Sequence, residues 1–335
     1  MDELDPCWLV YYVCAVRFLL SSNQRAYCFK KYTSLALSRG AYDSCLFHAK
    51  RTRPPVLLAG LPRCGSTWVG RILALHPGYH YHFEPLNPNY SGAVEEHHRA
   101  RNTPESYVKL DAYWKGVLQG NLFGWMSLLY QPPWSFIRAQ GILIKDVHVL
   151  FSLPMIPLES IKTILLVRHP CAIADSHIRR GLNPDLEQLA QDLSGDPITE
   201  ERSRLFREAL VTDMGREDAY FRMGLYWEMA YSLAFDFLLA SGNATILNYE
   251  SLCGNQVEEW EGLATNLNIT ITPKMWKEIK SSTQGGKESY TSRDSKQIRW
   301  GWRSDLTAIQ IERVLAGVHA AGSKAFSHFY PKDDK

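Results

Sequence analysis

The sequence predicts an α/β protein built around a parallel sheet. Residues 56–60, 142–145 and 161–167 are short, continuously apolar runs, which are typical of strands buried on both faces. The first and the third run are each followed by a loop and a helical pattern, the alternation that builds parallel sheets. A chain of 335 residues, 45% of them hydrophobic, is long enough for one large core or two small ones.

The elements follow one another in a simple order. Apolar residues recur at helical spacing within 66–75, and the turn His76-Pro-Gly stops that helix. A second short strand is expected to end at Glu84. After the strand at 161–167 the sequence predicts a helix at 172–180, a long amphipathic helix at 217–239, a strand at 244–249 and a helix at 257–267.

Two stretches interrupt this pattern without forming a second domain. Residues 86–135 and 181–215 are rich in Pro, Gly and polar side chains, so we interpret both as insertions. We therefore predict one domain over 54–335 with its core at 56–180, preceded by a helical extension at 1–53.

Charge and cysteine content exclude several classes of protein. The formal net charge is +2, whereas a nucleic-acid binder would carry a basic surplus. The 7 cysteines are odd in number and scattered, which favours reduced thiols over a disulfide framework or a zinc site. We expect no nucleic-acid partner and no metal.

The N-terminal segment is ambiguous. Residues 8–20 are apolar, but Arg17 interrupts them, and the run is shorter than the roughly 20 residues that span a bilayer. The acidic start lacks the positive region of a signal peptide. We expect a buried or docking helix here, with membrane association through 8–20 or a truncated anchor as the alternatives.

The loop after the first strand has the form of a phosphate cradle. Residues 60–67 follow the template G-x-x-x-x-G-K-[ST], except that Ser66 replaces the lysine. Glycines at 60 and 65 allow the backbone to approach an anion, and the following helix would offer free N–H groups. Arg63 supplies a positive charge within the loop, although not at the position of the missing lysine. The alternative is an ordinary strand–turn–helix with glycines for turn geometry.

A second group of residues follows the third apolar run. Arg168 lies at the carboxyl end of that strand, where open α/β sheets bind ligands. Ser176 and Arg180 are four residues apart, so a helix would place them on one face with access to the same anion. The alternative is a solvated basic helix end.

Together the two motifs resemble those of sulfotransferases that use 3′-phosphoadenosine 5′-phosphosulfate (PAPS). Residues 61–68 are similar to the family's 5′-phosphosulfate loop, and 165–176 to its 3′-phosphate motif. Residues 83–86, 143–146 and 248–252 resemble the Golgi carbohydrate and tyrosyl-protein branch more than the cytosolic phenol and steroid branch. The resemblance spans about 56–306. It implies a P-loop-like, three-layer fold and metal-independent sulfuryl transfer from PAPS to a hydroxyl or amine of a carbohydrate or small-molecule acceptor.

The resemblance also implies which residues hold the donor. Arg63 would stabilise the charge that builds on the bridging oxygen, and Arg168 and Ser176 would bind the 3′-phosphate. The full set of expected cofactor contacts is Arg63, Cys64, Gly65, Ser66, Thr67, Trp68, Arg168, Ser176, Arg180, Tyr249, Ser292 and Lys296.

An acceptor hydroxyl must lose a proton, so a base is expected opposite the sulfur. Glu84 matches the catalytic glutamate of the carbohydrate branch and is the favoured candidate. His148 is similar to the catalytic histidine of the cytosolic branch, but its spacing from Lys145 differs by one residue. A polar residue at a strand end is the plain alternative for His148.

Two other functions remain open at this stage. A P-loop small-molecule kinase would need a lysine where Ser66 stands, and a non-catalytic nucleotide- or glycan-binding member would keep the motifs without transfer. We expect a cytoplasmic location because no signal anchor is evident, with the Golgi membrane or lumen as the alternative that the motifs favour. The oligomeric state is left open.

Overall fold

The computed structural model describes residues 52–87, 112, 114–118, 127, 131, 135–194, 200–283 and 299–331. Its centre is a five-stranded sheet in the order β2-β3-β1-β4-β5, in which every neighbouring pair is parallel. This confirms the predicted fold class. The strands are β1 (Val56–Ala59), β2 (Tyr79–Phe83), β3 (Gly141–Asp146), β4 (Lys162–Val167) and β5 (Ala244–Asn248).

The apolar runs form strands because both faces of the sheet are covered. Every residue of β1, β2 and β3 is buried, and so are all residues of β4 after Lys162. Edge strand β5 is mostly half-buried. The central strands thus show the unbroken hydrophobic pattern that distinguishes parallel from antiparallel sheets.

Helices account for most of the remaining described residues. Those before β5 are α1 (Ser66–Leu73), α2 (Ser135–Arg138), α3 (Pro170–Ile178), α4 (Leu186–Asp192), α5 (Glu200–Leu210), α6 (Asp213–Glu217) and α7 (Ala219–Ser241). Those after it are α8 (Tyr249–Gly254), α9 (Gln256–Leu267), α10 (Pro273–Thr283), α11 (Trp302–Asp305), α12 (Ala308–Ala320) and α13 (Lys324–Phe329).

The direction of the chain reverses between two neighbouring strands, and this places the site. From β1 the chain passes through α1 towards the β2 edge, whereas from β4 it passes through α7 towards the β5 edge. Right-handed crossovers in opposite directions put their helices on opposite faces, which gives three layers. The carboxyl ends of β1 and β4 therefore flank a topological switch point, where such sheets bind ligands.

The long helix α7 differs from the amphipathic helix expected from the sequence. It is buried without interruption from Trp227 to Phe235, because the sheet, α3, α5 and α12 pack around it. Glycines permit the closest of these contacts: a Cβ atom at Gly224 would lie 2.0 Å from the Val314 carbonyl oxygen, and one at Gly317 2.0 Å from the Phe221 carbonyl oxygen. A helix packed on all sides is apolar all round.

The stretch 181–215 is more regular than its composition indicates. It contains α4 and α5 and leads into α6, and its apolar side chains, among them Leu186 and Phe206, form a second hydrophobic cluster against α7. Asp185 and Thr212 cap two of these helices by accepting backbone N–H groups. Asp185 and Thr212 add to the polar composition of this stretch, but at helix N-termini such residues are start signals.

Several expectations fall outside the described residues. The extension at 1–53 with its segment 8–20 is described only from residue 52, most of 86–135 is not described, and neither Ser292 nor Lys296 is. Within the described part of the chain, no helix combines the length and hydrophobicity needed to span a bilayer.

Candidate active site

A cleft of about 640 Å³ opens at the carboxyl ends of the central strands. The loop after β1, the end of β4 and the ends of β2 and β3 all contribute to it. Its walls include both candidate bases, Glu84 and His148, and most of the predicted donor-binding residues, which are Arg63, Gly65, Ser66, Thr67, Trp68, Arg168 and Tyr249. Lys145 also lines the cleft.

The loop after β1 has the backbone form of an anion cradle. Gly65 adopts φ 98° and is the N-cap of α1, which begins at Ser66. The ring of Tyr249 lies directly behind Gly65, so that a Cβ atom there would come within 2.2 Å of it. Only glycine combines that left-handed conformation with so close an approach. The N-terminus of α1 lies at the wall of the cleft, a position that suits an anion because the helix dipole is positive there.

Cys64 is part of the hydrophobic core. Its side chain is fully buried, and burial raises the pKa of the thiol above its ordinary value. Its backbone N–H donates to the Leu61 carbonyl oxygen at 3.1 Å, and Cys64 is not among the residues that line the cleft.

Arg63 connects the two predicted anion subsites. Its Nε donates to the Ser176 hydroxyl oxygen at 2.9 Å, and its carbonyl oxygen accepts from Arg168 Nη1 at 2.9 Å. The Arg168 guanidinium also lies 4.8 Å from the centre of the Tyr249 ring, within cation–π range. Residues separated by more than a hundred positions therefore converge between β1 and β4, as the two motifs predicted.

Arg180 is near this group but not in the way the spacing indicated. Helix α3 ends at Ile178, and the Arg180 N–H donates to the His177 carbonyl in the turn that follows. Ser176 and Arg180 consequently do not share a helix face. Arg180 instead reaches a second cavity of about 740 Å³ together with Arg63, Arg168 and Ser176.

The far wall of this second cavity was missed by sequence reasoning. It is formed by Gly301 and residues of the short helix α11. Arg179, next to Arg180 in the chain, also lines the cavity. The ring of Trp302 stacks on His169 at 4.3 Å between centroids and 8° between planes. The signal was present as a Trp- and Arg-rich run at 299–303, but sequence reasoning assigned the C-terminal cofactor contacts to Ser292 and Lys296.

Trp68 and Tyr249 support the loop from behind as well as lining the cleft. The Trp68 indole N–H donates to the Ser282 hydroxyl at 2.8 Å, and its ring meets Tyr249 edge-on at 5.8 Å between centroids. Tyr249 is 6% exposed, and burial raises the pKa of its phenol. Both aromatic side chains hold the cradle in shape.

The Glu84 side chain is held in place by two partners that the sequence did not indicate. Lys145, which is 1% exposed, forms an ion pair with Oε1, and the Asn87 amide donates to Oε2 at 2.8 Å. The parallel register pairs Phe83 with Lys145, so the residue after β2 necessarily lies beside the lysine. Glu84 itself has φ 46°, a left-handed conformation that is unusual without glycine.

His148 lies a short distance along the same edge of the sheet. It is partly exposed and borders both the main cleft and a small side cavity of about 100 Å³ lined in part by Phe151, Gln188 and Tyr226. The structure thus places both candidate bases at the cleft. They are held by different backbone segments, Glu84 by the turn after β2 and His148 by the turn after β3.

Two further histidines stabilise the surroundings of the cleft. The ring nitrogens of His177 lie 3.0 Å from the Pro62 carbonyl oxygen and 2.8 Å from that of Leu182, which ties the anion loop to the chain after α3. His169 caps α3 by accepting from the Cys171 N–H. Burial, followed by the positive charges of Arg303 and Arg168, lowers the pKa of His169 to about 3, so this ring is neutral.

The amino-acid sequence was compared with curated proteins and with family models. No family model matches. Carbohydrate sulfotransferase 2 from Mus musculus is 27% identical over 192 residues, which cover 52% of this chain. The Homo sapiens protein of the same name is 27% identical over 194 residues. The matched region covers only 36% of either relative, so the chain corresponds to about a third of the length of these proteins.

The structure was also compared with solved structures. The sulfotransferase domain from the curacin biosynthetic pathway covers 80% of this chain, and 98% of that domain is matched, with a TM-score of 0.44 and 16% identity. The sequence comparison confirms the resemblance to sulfotransferases of the carbohydrate branch that the motifs indicated.

Proposed function

We propose that this relative of the carbohydrate sulfotransferases transfers a sulfuryl group from PAPS to an acceptor hydroxyl or amine. One observation carries the proposal: the side chain of Arg63 bonds to Ser176 while its backbone carbonyl binds Arg168. A single residue thereby joins the cradle after β1 to the basic group after β4. Two adjoining anion sites suit a nucleotide that carries charged groups at both its 5′ and 3′ positions.

The residues present fit such a nucleotide. The first turn of α1 supplies backbone N–H groups and a helix N-terminus for the 5′-phosphate. Arg168, Ser176 and Arg180 supply two guanidinium groups and a hydroxyl around the second cavity for the 3′-phosphate. When bound, PAPS supplies an activated sulfuryl group, whose transfer requires positioning and stabilisation of charge.

Arg63 is a cation placed to act on the reaction. Like Arg168, it lines both the cleft and the second cavity, and it belongs to the cradle itself, where its backbone has a φ of 73°. We assign to its guanidinium the stabilisation of negative charge on the leaving phosphate. The Thr67 hydroxyl, also in the cleft wall, assists the backbone N–H groups.

We assign the role of general base to Glu84. Its bonds to Lys145 and Asn87 use one acceptor position on each carboxylate oxygen, and a carboxylate offers about four such positions in all. The ionised form can therefore still accept a proton from an acceptor hydroxyl. His148 is the second candidate because it faces the same cleft.

The acceptor and the compartment belong to this proposal as well. A carbohydrate or small-molecule acceptor would enter from the side of His148, where the chain after α3 lines the cleft with Leu182, Asn183 and Pro184. Similarity to the carbohydrate branch favours the Golgi over the cytoplasmic location that the N-terminal sequence suggested. The kinase alternative lacks its lysine, since Ser66 occupies that position.

Thermal unfolding with 3′,5′-ADP, compared with ATP and magnesium, tests the proposal. A ligand at 100 times its dissociation constant adds about 2.7 kcal/mol to the free energy of unfolding, so we expect a clear rise in Tm with 3′,5′-ADP alone. Arg168→Ala should abolish the rise. Arg313→Ala, an exposed arginine paired with Asp218 outside the cleft, is the matched control and should keep it.

Each other outcome would contradict the proposal in a different way. A rise with ATP and magnesium alone would indicate the kinase function. A rise with 3′,5′-ADP in a protein that transfers no sulfuryl group to a panel of neutral saccharides and small amines would indicate a non-catalytic nucleotide-binding member. No rise with either nucleotide would mean that the two anion sites do not bind this class of ligand.

A further inference from the structure

Asp146 is a buried carboxylate at the end of β3 that none of the roles above uses. It is 0% exposed. Its Oδ2 accepts the backbone N–H of Leu86 at 2.8 Å, and its Oδ1 accepts that of His148 at 2.8 Å. One of these amides lies two residues after Glu84, and the other belongs to the second candidate base.

We propose that Asp146 is a positioning residue that holds both candidate bases at the cleft through their backbones. This inference rests on the proposed function, because it assigns to Asp146 the placement of groups that act in sulfuryl transfer. The carboxylate joins the turn after β2 to the turn after β3, and these two turns carry Glu84 and His148.

The backbone of the turn at Glu84 is strained, so it needs hydrogen bonds that hold it in this conformation. A left-handed conformation at a residue with a side chain costs about 1–2 kcal/mol, and such strain persists only where surrounding contacts enforce it. Three bonds do so here: Glu84 N–H to the Lys145 carbonyl, Asn87 N–H to the Glu84 carbonyl, and Leu86 N–H to Asp146. Of the three acceptors, only the one on Asp146 belongs to a side chain.

Asp146 uses both of its oxygens as acceptors. Each oxygen accepts one backbone N–H group, and the ionised form is the stronger acceptor for both. Burial raises the pKa of this carboxyl, and the neighbouring Glu84 raises it too, whereas His148 and the two backbone N–H bonds lower it. Hydrogen bonds from backbone N–H groups to an ionised carboxylate are typically stronger than hydrogen bonds between neutral groups.

The variant Asp146→Asn distinguishes a positioning role of this residue from a general contribution to the stability of the fold. The amide keeps the shape of the side chain but turns one acceptor into a donor, so one of the two turns must come loose. The matched control is Glu228→Gln in α7, because Glu228 is equally buried and accepts the backbone N–H groups of Ala325 and Phe326 away from the cleft.

Two measurements decide the proposal. In hydrogen exchange of the protein bound to 3′,5′-ADP, the amides of Leu86 and His148 should be protected in the wild type and exchange at least tenfold faster in Asp146→Asn, but not in Glu228→Gln. In sulfuryl transfer from PAPS to the best acceptor of a neutral saccharide panel, Asp146→Asn should lower kcat at least tenfold and leave KM for PAPS within twofold. Glu228→Gln should lower Tm to a similar extent without that loss of kcat.

The failures of the two proposals are distinguishable. Unchanged exchange of both amides in Asp146→Asn would overturn the positioning role even if transfer is observed. Equal kcat in Asp146→Asn and Glu228→Gln would overturn it as well. A wild type that binds no 3′,5′-ADP would contradict the proposed function, and the same exchange comparison without ligand would still decide whether Asp146 holds the two turns. Should Asp146→Asn not fold, Asp146→Ser, which retains one acceptor oxygen, replaces it.

Discussion

At the scale of single residues, the anion cradle depends on backbone conformation more than on side-chain chemistry. Arg63 and Gly65 both have positive φ, 73° and 98°, and the two lie on either side of Cys64, which anchors the loop in the core. The cation and the N–H groups therefore reach the cleft from a loop that has little freedom to rearrange. Such preorganisation is what stabilisation of transition-state charge requires.

Gly65→Ala is the sharpest test at this scale. The new Cβ atom would clash with the Tyr249 ring at 2.2 Å, and the left-handed φ alone costs about 1–2 kcal/mol. We expect a fall in Tm and the loss of stabilisation by 3′,5′-ADP, both measured by thermal unfolding.

Gly242→Ala provides the matched control for this clash. Gly242 has φ 66° at the end of α7, and nothing lies within 4 Å of a Cβ atom there. This variant carries the same backbone strain without the steric conflict, so it should lose stability and keep its response to 3′,5′-ADP. Equal falls in Tm and equal responses in both variants would contradict the role of Tyr249 as the rigid back of the cradle.

At the scale of elements, α3 connects the anion sites to the C-terminal part of the chain. His169 caps the helix, stacks on Trp302 of α11, and meets Tyr330 edge-on at 4.8 Å between centroids. The carboxylate of Glu250 accepts from the His169 backbone N–H and from the Tyr330 hydroxyl. The ring at the start of α3 thus lies in a closed aromatic environment in which it is neutral.

This burial predicts a pH-dependent stability. The pKa of His169 is lowered from 6.5 to about 3, so the unfolded chain binds a proton first as the pH falls. The contribution of this group is present above pH 6.5 and is lost towards about pH 3, at about 1.4 kcal/mol per pH unit. We expect the free energy of unfolding between pH 6.5 and 5 to fall more steeply in the wild type than in His169→Asn, whose side chain keeps a capping acceptor.

Denaturant unfolding at several pH values measures this difference. Other titrating groups, including the carboxyls of Glu250 and Asp146, are common to both proteins and cancel in the comparison. Parallel pH profiles for the wild type and His169→Asn would contradict the assignment of a neutral, buried ring.

At the scale of the whole molecule, α7 holds two hydrophobic clusters together. One face of the helix, including Trp227 and Tyr231, packs into the main cluster around the sheet. Another face, including Leu225 and Met229, packs with α4 and α5 in the second cluster. Tyr231 also donates to the Leu166 carbonyl at 2.9 Å and accepts from the Leu61 N–H at 3.3 Å, so the helix is bonded to the base of the cleft.

The predicted single domain can be tested through these clusters. Phe206→Ala in the second cluster should cost about 3–5 kcal/mol, and Leu165→Ala in the sheet about 2–5 kcal/mol. Since α7 belongs to both clusters, we expect either variant to shift one cooperative transition in circular dichroism and calorimetry. Two separate transitions, with Phe206→Ala shifting only one of them, would contradict a single domain.

The sequence predicted best those features that arise from local patterns. The strands at β1, β3 and β4 and the start of α1 at Ser66 were predicted within a residue or two, because buried strands and helix starts have local sequence signals. Arg168 at the end of β4 and the glycines of the cradle were identified for the same reason. The regular helices within 181–215 were not, since their apolar faces become evident only against α7.

Other parts of the site were decided by tertiary structure alone. Lys145 and Asn87 hold Glu84, but 61 residues separate Lys145 from Glu84, and nothing in either segment specifies the pairing. It follows from the register that places Phe83 opposite Lys145, which the packing of helices on both faces of the sheet fixes. The wall at Gly301 and Trp302 depends in the same way on where the C-terminal helices dock.

By itself, the sequence determined the class of sheet, the cradle after β1 and the cation after β4, because each follows from residues adjacent along the chain. The tertiary structure decided which side chains meet Glu84, that Asp146 reaches both Leu86 and His148, and that Arg180 leaves the helix that carries Ser176. The physical reason is that the alignment of parallel strands and the ends of helices depend on the packing of distant residues, which no local pattern encodes.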